Sequence, residues 1–290
     1  MRGLNRLFRG FAGLALAVAL AVAAPPEIDT ARALYHRTDY DAALKLLLPL
    51  QQKDAAAYHL IGMCYYMQGD PGKASDNFRK AVSLEPRESD YYLWLGRAYG
   101  RRAETSSFLT APGYATKARD NFEMAVKLNS RNMEAVSDLF EYYLDAPGLL
   151  GGGLDKATAL AVRMGQVDAA EEHWALARVA EKRKEMATAE QQLRRAIDLA
   201  PRQAGRMVDL AKFLAKAGRY QESDEAFRRA EAVAPGSPKV LFAQASTYIA
   251  TGRHLDLAKN LLKRYLQAQL TPDDPPRKEA ERLLRKASAS

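Results

Sequence analysis

The chain has 290 residues, of which 48% are hydrophobic, 27% charged and 9% aromatic, and its formal net charge is +8. This composition is that of an ordinary globular protein with a sizeable core, and it excludes both a disordered and a collagen-like chain. The single cysteine, Cys64, cannot close an intramolecular disulfide or supply the several thiolates of a structural zinc or iron–sulfur site. Packing of apolar side chains must therefore hold the chain together.

The first residues have the pattern of a secretory signal peptide. Residues 1–9 contain three arginines and no acid, and residues 10–24 are uncharged and include Ala-Val-Ala at 21–23. A retained membrane anchor is the alternative, but fifteen uncharged residues fall short of the roughly 20 that a spanning helix needs. We therefore expect a signal peptide over residues 1–23, a periplasmic or secreted protein, and no stable membrane insertion after cleavage.

Charge is unevenly distributed over the rest of the chain. Removal of residues 1–23 lowers the net charge to +5, which divides into −2 for residues 24–169 and +7 for residues 170–290. No recognised nucleic-acid motif accompanies the basic half, so we expect no nucleic-acid partner, and a solvated basic face is the simplest interpretation.

Identical residues recur 34 positions apart along the chain, as in Gly62 and Gly96 or Pro201 and Pro235. A fixed period of this length predicts a repeat protein. The most complete copy spans residues 55–88, and its characteristic residues are Tyr58, Ile61, Gly62, Tyr65, Ala74, Phe78, Ala81 and Pro86. These residues resemble the tetratricopeptide repeat, and further copies extend the resemblance over about residues 27–270.

The resemblance implies an all-α fold, a right-handed superhelix of about seven stacked antiparallel helix pairs in residues 24–270. Residues 271–290 are expected to form a charged capping helix that opens with an acidic cap at Asp274 and two prolines. The array leaves no segment for a catalytic domain. We therefore expect no enzymatic activity and no cofactor.

Small residues are expected to let the two helices of a repeat approach closely. In the best copy, Gly62 should bring its helix against the helix that carries Ala74, with Tyr65 and Phe78 filling the flanks of the shared core. Pro86 follows the second helix and marks its end.

The sequence lacks the residue spacings that metal-binding and nucleotide-binding motifs require. None of the four histidines stands three or four residues from another histidine or from Cys64, so we expect no metal site. His173 takes the repeat position of Tyr58, which favours a packed core histidine. The glycine-rich residues 148–153 lack the lysine that directly follows the last glycine of a phosphate-binding loop.

Two neighbouring repeats are lengthened at the turn between their helices. Gly96 and Ala118 are 22 residues apart, whereas Gly62 and Ala74 are 12 apart, and Ala-Pro-Gly occurs at both 111–113 and 146–148. Because equivalent turns stack on one edge, we expect two loops side by side along a rim. They either pack together or form a second binding surface.

Tetratricopeptide proteins bind peptides or protein segments in a concave groove lined by first helices, so the resemblance implies this role here. Aromatic and arginine side chains most often anchor interfaces, and our candidate partner-binding residues are therefore chosen mainly among them. The candidates are Tyr66, Arg97, Arg101, Trp174, Arg178 and Lys212. The other residues expected along the groove are His59, Met63, Leu93, Ser137, Glu141, Asp145, Lys182, Val208, Phe242 and Ser246.

Two hypotheses for the function follow. The first is an exported adaptor that holds a protein or peptide partner in its groove, and the second is a self-associating structural subunit of an envelope or secretion assembly. The clamp of lysines and asparagines that grips a C-terminal carboxylate in one subclass is not expected, because no asparagine occupies the groove positions. The identity of the partner and the oligomeric state are left open.

Overall fold

The computed structural model describes residues 26–289, and within this range the chain contains fifteen α-helices, one short 3-10 helix and no strand. The predicted signal peptide of residues 1–23 lies outside the described residues. No helix within residues 26–289 is both long and apolar enough to cross a bilayer.

Fourteen helices form seven consecutive pairs, in which we name the two members the first and the second helix. The pairs are α1 Pro26–His36 with α2 Tyr40–Leu47, α3 Ala55–Met67 with α4 Pro71–Leu84, α5 Ser89–Thr105 with α6 Ala111–Leu128, α7 Met133–Asp145 with α8 Leu154–Gly165, α9 Ala169–Lys182 with α10 Met186–Leu199, α11 Ala204–Lys216 with α12 Tyr220–Val233, and α13 Pro238–Thr251 with α14 Leu255–Gln267. The last helix is α15 Arg277–Ala289. The predicted all-α helical repeat solenoid is thus confirmed.

Local sequence signals start and stop these helices. The side chains of Asp54, Asp70 and Asn132 accept hydrogen bonds from backbone N–H groups of the first turns of α3, α4 and α7, which satisfies donors that have no partner within the helix. Pro71 stands in the first turn of α4, where a missing N–H costs nothing. Gly69 forms the preceding turn with a φ of 80°, a left-handed conformation that favours glycine.

Helix pairs are packed by an aromatic ring against a glycine. The ring of Phe78 lies over Gly62, so close that a Cβ on this glycine would be 2.5 Å from the ring, and Phe122 lies over Gly96 in the same way at 2.6 Å. The ring, rather than the small Ala74, therefore makes the close contact with Gly62. Phe78 is fully buried, and such burial stabilises the fold by about 1.5–3 kcal/mol.

The first lengthened turn is not a loop. Helices α5 and α6 contain 17 and 18 residues, whereas α3 and α4 contain 13 and 14. Ala111 and Pro112 begin α6, since proline suits the first turn of a helix. The inserted residues therefore extend both helices, and the expectation of a loop at 111–113 was wrong.

The second insert is a loop that is fixed to its neighbours. The carbonyl oxygen of Leu150 accepts hydrogen bonds from Arg119 Nη1 of α6 at 3.1 Å and from the Tyr142 hydroxyl at 2.8 Å. A Cβ on Gly152 would lie 1.8 Å from the Ala146 carbonyl oxygen, so only glycine fits there. The loop thus lies beside α6, the helix that the first insert lengthens.

The last helix covers the end of the array. Ala280, Leu283 and Ala287 of α15 are buried in a cluster with residues of α13 and α14, and the Tyr265 hydroxyl donates a hydrogen bond to the Pro275 carbonyl. Asp274 does not cap α15, because its Oδ2 accepts instead from the backbone N–H and the hydroxyl of Thr271, both at 2.9 Å. That part of the prediction was wrong.

Candidate partner-binding face

The first helices of neighbouring repeats contact one another along one side of the solenoid: α1 contacts α3, α3 contacts α5, α5 contacts α7, and α7 contacts α9. Helices α11 and α13 continue the row. We define the first-helix face as the side chains through which these helices meet, together with their exposed neighbours. Four of the six candidate residues, Tyr66, Arg97, Trp174 and Arg178, make side-chain contacts between neighbouring first helices.

An aromatic cluster forms the start of the first-helix face. The rings of Tyr66 on α3 and Trp94 on α5 meet edge to face with centroids 5.5 Å apart. The Arg97 guanidinium lies 4.8 Å from the Trp94 ring centroid, a cation–π distance. Both rings are half-buried, so each keeps part of its surface open to solvent. Burial raises the pKa of Tyr66, which keeps its hydroxyl protonated.

Arg97 is held in place by two carboxylates of the next first helix. Its Nε lies 2.6 Å from Asp138 Oδ2 and its Nη2 lies 3.0 Å from Glu134 Oε2. Burial disfavours the charged guanidinium, but the two carboxylates outweigh it and raise the pKa of Arg97. Burial also raises the pKa of Asp138, against the opposing effect of Arg97. The arginine stays charged and its side chain is fixed against Trp94.

A second stack of the same kind surrounds Trp174 on α9. The guanidinium groups of Arg178 and Arg206 lie 5.7 Å and 5.6 Å from the Trp174 ring centroid. Arg178 makes a bidentate pair with Glu141 at 3.0 Å and 3.2 Å. Arg206 reaches Glu171 at 2.6 Å. Two indole rings, one on each side of α7, therefore carry arginines whose positions are set by carboxylates.

Helix α7 supplies most of those carboxylates. Its four acidic residues follow one another at intervals of four, three and four, which places them on one side of the helix. They are Glu134, Asp138, Glu141 and Asp145. Each pairs with a cation of a neighbouring first helix, and the last pair joins Asp145 to Lys182 at 2.5 Å. We call this row the ion-pair ladder.

The remaining two candidates are exposed. Arg101 pairs with Glu104 of its own helix at 2.9 Å and also contacts the Tyr66 hydroxyl, and Lys212 is an exposed side chain on α11. Exposed pairs of this kind contribute little stability. Both cations are therefore available to an approaching charged group.

Three residues expected along the groove are buried instead, namely His59, Leu93 and Val208. His59 lies among the rings of Phe78 and Tyr91, with centroid distances of 5.5 Å and 4.8 Å. Burial lowers its pKa to about 3. These three residues lie on first helices, as predicted, but the adjacent repeat covers more of each first helix than we expected.

His173 also departs from its expectation. It is half-buried rather than a packed core residue, and its Nδ1 shares a hydrogen bond with Gln192 Oε1 of the following helix. The polar partner explains why a histidine replaces the tyrosine found at this position in other repeats. Within residues 26–289, no group of three or more His, Cys, Asp or Glu side chains could hold a metal ion.

Sequence reasoning missed Trp94, Arg206 and the pairing of the predicted arginines. A signal was present, because the separations from Arg97 to Glu134, from Glu141 to Arg178 and from Asp145 to Lys182 are all 37 residues. This offset differs from the basic period of 34, because inserts lengthen both repeats involved: α7 begins 44 residues after α5, and α9 begins 36 residues after α7. Charge patterns compared at this offset predict the ladder.

Comparison with known proteins agrees with the fold. Residues 55–88 match the family model of the tetratricopeptide repeat, and six further helix pairs stack on this repeat. Residues 55–88 are thus a tetratricopeptide repeat. The chain is similar to a tetratricopeptide-repeat protein of Thermus thermophilus, at 24% identity over 65% of this chain and 97% of that one, with a TM-score of 0.53.

A second solved structure matches more of this chain. A tetratricopeptide repeat protein from Parabacteroides merdae is 14% identical, covers 90% of this chain with 97% of its own, and has a TM-score of 0.59. At such identities the likeness concerns the fold. No curated protein matches the chain. The predicted tetratricopeptide repeat is confirmed at residues 55–88, and the predicted helical-repeat fold is confirmed over residues 26–289.

Proposed function

We propose that this protein is an exported, non-catalytic scaffold that binds an extended protein or peptide segment along the first-helix face. The observation that carries the proposal is the pair of indole rings, Trp94 and Trp174, each stacked with an arginine that a carboxylate already holds. Side chains fixed before a partner arrives lose little entropy on binding. Tryptophan and arginine also dominate the binding energy of protein interfaces.

The ion-pair ladder supports an apolar and aromatic mode of recognition. Arg97, Arg178 and Lys182 are paired within the face, so a partner must break an ion pair to use any of them for its own carboxylates. The indole surfaces require no such exchange. We infer that the rings supply the affinity and that the exposed cations Arg101 and Lys212 at the margin set the orientation of the partner.

The binding proposal can be tested with random peptides displayed on phage and selected on the immobilised protein. Peptides that bind are measured by the change in tryptophan fluorescence. We expect Trp174→Ala to weaken their binding by at least about tenfold. Arg101→Ala combined with Lys212→Ala should weaken it less and reduce its sensitivity to salt.

A matched control removes two exposed cations away from the indole rings, Arg183→Ala and Lys184→Ala, and should leave peptide affinity unchanged. Circular dichroism of each variant shows whether the fold is kept. Equal affinity of wild type and the Trp174→Ala variant for every selected peptide would argue against the proposal.

Export is tested separately from binding. The signal-peptide pattern of residues 1–23 supports translocation and cleavage near Ala23. The N-terminal sequence of the chain isolated from the periplasm or medium should begin within a few residues of that position. A full-length chain that remains in the cytoplasm would contradict this part of the proposal and leave the binding proposal unaffected.

Self-association is a second candidate function, and large apolar side chains that are exposed at two of the turns favour it. Phe108 and Leu149 belong to neighbouring turns and are 83% and 96% exposed, which is unusual for large apolar side chains that are not in contact with a partner. Light scattering should then give a mass that rises with concentration, and Leu149→Ser should reduce the rise. A constant monomer mass removes this candidate.

A further inference from the structure

A row of cations follows the ends of the second helices in the last three repeats. Basic dipeptides at 194–195, 228–229 and 263–264 each stand directly before a buried residue of α10, α12 and α14. Successive second helices of a solenoid run in the same direction, so equivalent residues line up along one edge. Two further exposed cations lie nearby, Arg202 just beyond the end of α10 and Lys239 in the first turn of α13. We call these eight residues the basic edge.

Most of the basic edge lacks a carboxylate partner. The ion pairs that do form join Arg194 to Glu190 at 2.7 Å and to Glu222 at 3.6 Å, Arg264 to Glu231 at 3.5 Å, and Arg228 to a glutamate one turn before it. The other five are exposed, and no carboxylate within residues 26–289 lies within salt-bridge distance of them. They are Arg195, Arg202, Arg229, Lys239 and Lys263.

Only one of the three earlier repeats has a basic pair at the equivalent positions. These positions hold Arg79 with Lys80, Glu123 with Met124, and Val162 with Arg163, and Arg79 is paired with Asp76 at 2.7 Å. Glu85 and Glu88 accompany the first of these pairs in the following turn. The favourable interaction of a cation with a helix C-terminus applies to every repeat, so it does not explain why basic pairs occur in three consecutive repeats only at the end of the array.

Exposed apolar side chains lie beside the cations. Leu199 follows Arg195 by four residues and Val233 follows Arg229 by four, so each is the next residue on the same side of its helix. They are 41% and 36% exposed. Cations combined with exposed apolar groups are the composition of surfaces that lie on a lipid interface.

We propose that the basic edge binds the surface of a membrane rich in anionic phospholipid. The cations contact headgroup phosphates, while Leu199 and Val233 enter the headgroup layer. The attachment is peripheral, and it leaves the first-helix face, on the other helices of the same repeats, open to a partner. A soluble polyanion would use the cations but has no use for the two apolar side chains, and this difference decides in favour of a membrane.

The test is cosedimentation of the full chain with vesicles of phosphatidylcholine that contain phosphatidylglycerol, compared with phosphatidylcholine alone. Each cation near an anionic surface contributes about fivefold to partitioning, so Arg195→Gln, Arg229→Gln and Lys263→Gln together should lower binding roughly 100-fold. The matched control is Arg183→Gln, Lys184→Gln and Lys216→Gln, three exposed cations near the opposite ends of the repeats. It should change binding little, and residues 1–23 are common to all the variants.

A second pair of measurements separates a membrane from a soluble polyanion. Leu199→Ser with Val233→Ser should lower binding to the phosphatidylglycerol vesicles several-fold and leave binding to inorganic polyphosphate unchanged. Equal losses in the edge and control variants would overturn the proposal, and so would binding to polyphosphate without binding to vesicles. Unchanged vesicle binding by the Leu199→Ser, Val233→Ser variant would also count against the proposal, because the apolar side chains would then have no role in membrane binding.

Discussion

Gly96 sets the separation of two helices through the side chain that it lacks. The Phe122 ring occupies the position that a Cβ would take, and Gly62 and Phe78 repeat the arrangement one unit earlier. Gly100 lies one turn further along the same helix with nothing within 4 Å of its Cβ position. Substitution of the two glycines by alanine should therefore affect stability in opposite directions, although both glycines lie within the same helix.

We expect Gly96→Ala to lower the free energy of unfolding by about 1–3 kcal/mol, since the new methyl group displaces a packed ring. Gly100→Ala should instead raise it by about 0.5–1 kcal/mol, because alanine loses less backbone entropy in a helix. Urea denaturation followed by circular dichroism measures both. A destabilised Gly100→Ala variant, or an unaffected Gly96→Ala variant, would show that the ring does not define this contact.

His59 should make the protein sensitive to acid. Burial lowers its pKa from 6.5 to about 3, so between these pH values the unfolded chain binds a proton that the folded chain does not. The free energy of unfolding should therefore fall by about 3 kcal/mol between pH 7 and pH 4. Asp90 acts in the opposite sense, because burial raises its pKa to about 6. Its side chain is 45% exposed, which weakens its contribution.

The variant His59→Phe tests this contribution, because phenylalanine fits among the surrounding rings and has no titrating group. Its free energy of unfolding should change by about 3 kcal/mol less than that of wild type between pH 7 and pH 4. Thermal or urea unfolding at several pH values gives the comparison. Parallel pH profiles for the two proteins would mean that His59 is hydrated in the folded state.

At the scale of the element, the two inserts show where sequence interpretation succeeds and where it fails. Their number and position were correct, because repeat spacing counts residues directly. Their conformation was not, since Ala-Pro-Gly suits both a turn and the first turn of a helix. At 111–113 it begins α6, whereas at 146–148 a glycine-rich segment follows and a loop forms. Helix propensity alone does not distinguish the helix start from the loop. Tertiary contacts, such as that of Arg119 with Leu150, determine which of the two forms.

The loop of residues 147–153 depends on Gly152. We expect Gly152→Ala to detach the loop, because a Cβ there overlaps the Ala146 carbonyl. Cleavage within the loop by a protease should become several-fold faster, while the helical circular dichroism signal is retained. Gly148→Ala is the control, since its Cβ position is open. Equal cleavage of the two variants would contradict the expectation.

At the scale of the whole molecule, α15 completes the last repeat. Without it, the apolar side of α13 and α14 around Leu262 and Tyr265 is open to solvent. We expect a chain that ends at residue 270 to melt at a lower temperature and to aggregate, as measured by thermal unfolding and light scattering. The variant Arg282→Ala, on the exposed side of α15, should behave as wild type. A truncated chain of unchanged melting temperature and mass would show that the helix is dispensable.

The fold could be predicted almost completely, whereas the candidate site could be predicted only in part. Periodicity identifies residues that pack within a repeat, such as Phe78 and Ala81, because each copy shows the same pattern. Contacts between repeats involve residues that differ from copy to copy, such as Arg97 with Asp138 or Arg206 with Glu171. Burial of His59 and Leu93 also depends on the adjacent repeat, which a single-helix projection does not contain.

The ion-pair ladder constrains the length of the chain as well as its charges. Three of the four ladder residues of α7 pair at a separation of 37 residues, and the fourth, Asp138, pairs with Arg97 at a separation of 41. An extra residue in the turn before α7 would rotate the helix by about 100° relative to α5, and one in the turn before α9 would do the same on the other side. Either insertion uncouples several pairs at once. The connecting turns at 129–132 and 166–168 therefore cannot lengthen by single residues in related proteins that keep the ladder.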